Sequence, residues 1–168
     1  MSAFPFQSLI RRLPERTRAN LFLRVFALTK IRMISWTGAR IFEIDDHHCV
    51  VRIPFRSRNK NHLKSMYFGA LMVGADLAGG LMVFNKVHAS GRKVSFAFKN
   101  AHGEFLKRAE GDTYFSCQDG QAVSAALQET FDSSERINLP IHVTATVPSK
   151  FGEDPVARFD LTLSVKAV

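Results

Sequence analysis

The chain has 168 residues, enough for one well-buried domain and marginal for two. Its 46% apolar and 23% charged content excludes a disordered polymer. Its two cysteines, Cys49 and Cys117, exclude a disulfide framework, so a reducing, cytoplasmic compartment is expected. The net charge of +8 is lopsided. Residues 1–42 hold eight basic residues (Arg11, Arg12, Arg16, Arg18, Arg24, Lys30, Arg32, Arg40) against one acid, Glu15, and so carry +7 of it. Such asymmetry suggests an anionic partner: nucleic acid, a membrane surface or a phosphorylated small molecule. No nucleic-acid module or arginine–aromatic interleaving favours the first of these, so no nucleic acid is expected.

In chain order, the first apolar cluster, LFLRVFALTKIRMI, is broken by Arg24, Lys30 and Arg32, which does not suit a secretory leader. An Arg-rich, acid-poor start also resembles a transit peptide, but Pro14 followed by seventeen periodic residues reads equally well as a folded helix. Residues 14–34 predict one or two amphipathic helices, with Leu21, Val25 and Leu28, and Phe22 and Phe26, recurring at helical spacing. ARIFEID (39–45) and CVVRIPF (49–55) predict two strands joined by a hairpin at Asp46-His47-His48. A basic loop, Arg56–Lys64, follows. Ser65 is a plausible N-cap for a long buried helix over 66–86. That run is long enough to cross a bilayer, but Asp76 and four glycines argue against it.

After Gly91 the period becomes two. Val94, Phe96 and Phe98 share a face, as do Thr113, Phe115 and Cys117. AVSAALQETF is a short helix. IHVTATV and ARFDLTLSVK then alternate cleanly, the mark of antiparallel strands with one wet face. All strands are read as hairpin-like pairs. The long helix, apolar all round, must be enclosed on several sides. The fold class is therefore α+β, an antiparallel sheet curling around one helix. Small residues at Ala70, Gly74 and Ala78 form a stripe for close approach to another backbone.

Asp76 is the only charge between Ser65 and Phe84, with Met72, Val73, Gly79 and Gly80 as its helical neighbours. Desolvation favours its neutral form unless another element supplies donors. It either bonds a backbone or loop, or serves as a general base or nucleophile in an apolar pocket. Asn61 precedes the helix and Gly69 lies in its first turns, where free amides favour negative charge. A carbonyl polarised by amides near Phe68–Gly69 could be attacked by water held between Asp76 and Asn61.

These residues resemble the hotdog-fold acyl-CoA thioesterases, particularly the phenylacetate-degradation (PaaI-like) branch. That pattern is an Asn, six residues on a His-Gly-Gly, and nine residues after that His an Asp. Asn61 and Asp76 fit, and Tyr67-Phe68-Gly69 occupies the triplet. NHLKSMYFGAL also resembles a hotdog subgroup described only by a domain of unknown function. The resemblance covers residues 38–168, with 1–37 as a helical extension of a single hotdog domain. It implies a homodimer, also paired into tetramers, with shared active sites. It implies an acyl-CoA thioesterase with Asp76 as base or nucleophile, Asn61 as positioner and the Gly69 amide polarising the carbonyl. Tyr67 and Phe68, where relatives carry His-Gly, would contact substrate. No cofactor is implied, since coenzyme A is part of the substrate. Its phosphates give a role to Arg58, Lys60 and Lys64 around Asn61 and to Arg92-Lys93 beyond the helix. The alternatives are a non-catalytic module binding acyl-CoA or acyl chains, and a membrane-surface protein acting through residues 11–34.

Asp45-Asp46-His47-His48-Cys49 has metal-ligand residue types, but neighbours in an extended segment point apart, so a polar hairpin tip and no metal is expected. His62 and His142 read as surface histidines, and Cys117 as core.

Overall fold

The computed structural model describes residues 14–168, so Arg11 and Arg12 lie outside the described residues. Two helices come first, α1 (Glu15–Thr29) and α2 (Arg32–Thr37), the latter ending on Gly38 in the left-handed conformation (φ +71°). α1 lies along the first strand, β1 (Arg40–Ile44). Its buried residues are Leu23 and Ala27, whereas Leu21, Val25 and Leu28 are exposed, which corrects the expected face. The reason is steric: the helix docks through Ala19, Leu23 and Ala27, a stripe narrow enough to lie against a strand. Asn20, on the same side, holds the edge of β1. Its Nδ2 donates to the Ile41 carbonyl (2.8 Å) and its Oδ1 accepts from the Ile41 amide (2.9 Å), as a neighbouring strand would.

β1 pairs with β2 (Cys49–Ile53). Asp45 Oδ1 accepts the amides of His47 (2.7 Å) and His48 (2.8 Å), an Asx-type tip. His48 also faces Glu43 Oε2 (3.2 Å) and Asp45 Oδ2 (2.9 Å). Among the described residues no three His, Cys, Asp or Glu side chains converge to hold a metal.

The long helix, α3 (Phe68–Ser90), begins two residues later than expected. Met66 donates its amide to Ala109 (2.8 Å) and Tyr67 donates to Asn59 (2.8 Å), so both remain extended. Ser65 is therefore not the N-cap; its Oγ faces Asn61 Oδ1 (3.3 Å). The helix runs on past Lys86 to Gly91, whose φ of +66° terminates it. By length and composition α3 could cross a membrane, yet ten of its 23 residues are buried in protein.

β3 (Val94–Phe105), β4 (Thr113–Cys117), α4 (Gly120–Ser133), β5 (Ile137–Thr146), α5 (Pro148–Phe151) and β6 (Pro155–Ala167) complete the chain. The six strands form one antiparallel sheet in the order β1-β2-β4-β5-β6-β3. Expected hairpin pairing holds for β1–β2 and β5–β6 but not for β3, which crosses to the far edge and pairs with β6. Pro140 lies inside β5 without breaking it. Its missing N–H falls where β4 has ended, and two residues on the His142 amide finds Asp119 Oδ2 (2.6 Å) instead of a strand.

α3 packs on β2, β4 and β5. Its small-residue stripe meets the side-chain ring of Phe115 at Gly74 rather than another backbone. The helix is not enclosed all round either. Gly69, Met72, Val73, Asp76 and Gly80 recur at helical spacing and are only half-buried or exposed, so one stripe of α3 stays uncovered in the single chain.

Candidate active site

The start of α3 and the β3–β4 connection flank an open pocket of about 310 Å³, lined by Asn61, Ser65, Phe68, Leu71 and residues 105–109. The segment 61–65 is a tight turn: the Lys64 amide donates to the Asn61 carbonyl (3.0 Å) and the Asn61 amide to the Ser65 carbonyl (2.8 Å), with Lys64 at φ +58°. Asn61 Oδ1 accepts from the amides of Leu63 (2.9 Å) and Ser65 (3.2 Å), which ties that atom to the turn. Its Nδ2 makes no hydrogen bond among the described residues.

The α3 start supplies donors. Ala70 and Leu71 amides both go to the Tyr67 carbonyl, whereas those of Phe68 and Gly69 have no partner among the described residues. The Tyr67 ring folds over Gly69, where a Cβ would sit 2.6 Å from it, and meets Phe68 edge to face at 4.9 Å. Gly69 thus makes room for Tyr67, and both rings are exposed.

Asp76 stands on the same stripe as Gly69, seven residues or about 10 Å along the helix. It does not line the pocket. The carboxylate is exposed in the single chain, yet desolvation by the protein around it raises its pKa above the ordinary value of 3.8. These agree physically: a group can reach solvent through one opening while most of its surroundings are protein.

The basic candidates are dispersed. Arg58 faces the Trp36 ring (6.0 Å) and lines a different groove, and Lys60 sits over the Phe55 ring (4.1 Å). Lys64 is exposed on the turn. Arg92, over the Phe131 ring (4.5 Å), and Lys93 lie beyond the opposite end of α3, some 34 Å from its start by helix rise. A single chain therefore gathers Asn61 and Phe68 at the pocket, with Tyr67 and Gly69 adjoining. It does not gather Arg58, Arg92 and Lys93 with them. The pocket's basic side chains are Lys107, which is paired with Asp154 (3.0 Å), and Arg108. The sequence pattern does not single out either, because the alternation of Val94, Phe96 and Phe98 is not continued beyond Lys99. Following β3 to Phe105 would have brought this segment beside Asn61.

A six-stranded antiparallel sheet curved around one long helix is the hotdog fold. Solved structures share it. A candidate thioesterase from Shewanella oneidensis superposes with a TM-score of 0.74 at 16% identity, over 88% of this chain and 97% of that one. A protein of unknown function from Pseudomonas aeruginosa, also a candidate thioesterase, gives 0.72 at 21% identity, over 93% and 97%. A thioesterase from Haemophilus influenzae gives 0.62 at 12%, over 93% of each. No curated protein matches in sequence. Residues 20–165 match the family described as Domain of unknown function (DUF4442), and the chain belongs to that family.

Proposed function

We propose that the protein hydrolyses the thioester of a hydrophobic or aromatic acyl-CoA, working as a homodimer. The observation that carries this is the uncovered stripe of α3, which presents one carboxylate of raised pKa, Asp76, two turns from two unpartnered amides, Phe68 and Gly69. A second copy laid on that stripe would close it to solvent and could extend the sheet at the free β3 edge. Asp76 takes a proton from water, the hydroxide adds to the carbonyl carbon, and the amides hold the oxyanion. Collapse breaks the C–S bond, and the proton passes from Asp76 to the departing thiolate. The products are a carboxylic acid and coenzyme A thiol. Asn61 Nδ2, unbonded beside the pocket, would orient the water or the carbonyl.

Free thiol released from a panel of acyl-CoA esters tests the reading. Asp76→Asn and Asp76→Ala should each lower turnover about 10²-fold or more. Turnover unchanged in both would refute it. A second reading, an acyl-CoA-binding module without turnover, is favoured by the Tyr67 ring folded over Gly69. Saturable binding with no thiol release from any ester would select it.

A further inference from the structure

Among the described residues a larger groove, of about 1080 Å³, lies between α1, α2 and the outward face of β1, β2 and β4. It shares no lining residue with the pocket at Asn61. Arg16, Arg24, Arg40, Arg52, Arg56 and Arg58 all line it. Arg40 and Arg52 are direct partners across the β1–β2 ladder, where like charges oppose folding. Among the described residues only Arg52 of the six has a carboxylate at ion-pair distance, Asp112. Arg16 lies over the Phe42 ring at 4.8 Å.

The facing wall, from α1 and α2, carries Arg16 and Arg24 and also an apolar strip. Buried Leu23, Ala27 and Ile34 contribute to it, and so do Leu21 and Leu28, two residues of α1 that the fold leaves exposed. Five guanidinium groups with no carboxylate at ion-pair distance among the described residues, set beside a hydrocarbon strip, match an anion with an apolar body. The guanidinium fork fits phosphate oxygens two at a time, and the volume is slightly above the range of ordinary ligand sites. We propose that this groove binds a phosphate-bearing amphiphile, its head among the arginines and its chain along α1. The site is independent of Asp76.

Calorimetric titration of the full chain tests this with four probes: dodecyl phosphate below its micelle concentration, inorganic phosphate, dodecyl maltoside, and phosphatidylglycerol vesicles. Dodecyl phosphate should bind about tenfold or more tighter than inorganic phosphate or the maltoside and should raise Tm. Arg24→Ala and Arg40→Ala should each weaken it about tenfold and shrink the Tm rise at a fixed ligand concentration, whereas Lys99→Ala, on the distant β3, should do neither. Arg40→Gln substitutes if Arg40→Ala does not fold. Asp76→Asn should bind dodecyl phosphate like the wild type, which separates this site from the thioester reading. Absence of dodecyl phosphate binding, equal weakening by Lys99→Ala, or binding to vesicles alone would each overturn the proposal; the last would assign the charge to a membrane surface.

Discussion

The Phe115 ring packs on Gly74 so closely that a Cβ there would lie 2.4 Å from two of its carbons. Phe115 is fully buried in β4, and α3 crosses it at Gly74, where the helix carries no side chain. Gly74→Ala should therefore destabilise by about 1–2 kcal/mol, overpacking outweighing the roughly 1 kcal/mol gain in helix propensity. Gly80→Ala is the control, since its Cβ would meet only Phe98 at an ordinary 3.7 Å, and it should stabilise by up to about 1 kcal/mol. Urea midpoints of both variants check this. A loss at Gly80 would mean that a second copy's backbone lies against the open stripe.

Asn20 replaces a missing strand at Ile41, so its loss leaves one amide and one carbonyl without partners. Asn20→Ala should cost about 1–2 kcal/mol. Asn20→Asp should fare no better, because a carboxylate would face the Ile41 carbonyl oxygen. Hydrogen exchange at the Ile41 amide should accelerate in Asn20→Ala; unchanged protection there would count against the cap.

The raised pKa of Asp76 has a definite sign in stability. The folded state holds this proton more tightly than the unfolded chain does. Stability from this group is present in full below the ordinary value of 3.8 and is lost as pH rises through the folded pKa. Asp76→Asn should consequently have a higher Tm than the wild type at pH 7, and the difference should shrink toward pH 4. A gap that widens on acidification would contradict the desolvated placement.

Cys49 and Cys117 are cross-strand partners on the buried face of β2 and β4. Burial, with the facing thiol adding to it, pushes Cys49 up to about 12; burial likewise takes Cys117 to about 11. At pH 8 about one thiol in a thousand or fewer is ionised. Iodoacetamide should label neither in the folded protein within an hour, and both once guanidinium is added, as intact mass would record.

The parts legible in sequence are those where one periodicity dominates. Thr113, Phe115 and Cys117 alternate onto a buried face as their pattern requires, and the twenty-residue run around Asp76 could be little else than the central helix. The buried face of α1 is not legible because apolar residues occupy most of its circumference; Leu23 and Ala27 win the core only through their fit against β1. β3 extends beyond Lys99 because an irregularity between Phe98 and Asn100 shifts its alternation and its outer half is wet on both faces. At the candidate site, spacing alone located Asn61, Gly69 and Asp76 relative to α3. It could not reveal that Asn61 Oδ1 is committed to a turn, nor that Lys107 and Arg108 arrive from the other side of the sheet.

The Asn20 amide has one more consequence, for growth. A sheet has two ends at which another chain can add. Here the β1 end is covered by α1 and its Ile41 hydrogen-bonding groups are already spent, while among the described residues no strand pairs with the outer edge of β3. Two copies joined β3 to β3 would leave a covered end on either side, so edge pairing stops at two and cannot propagate into a fibre. One side chain on a helix outside the sheet thus closes that end of it at Ile41.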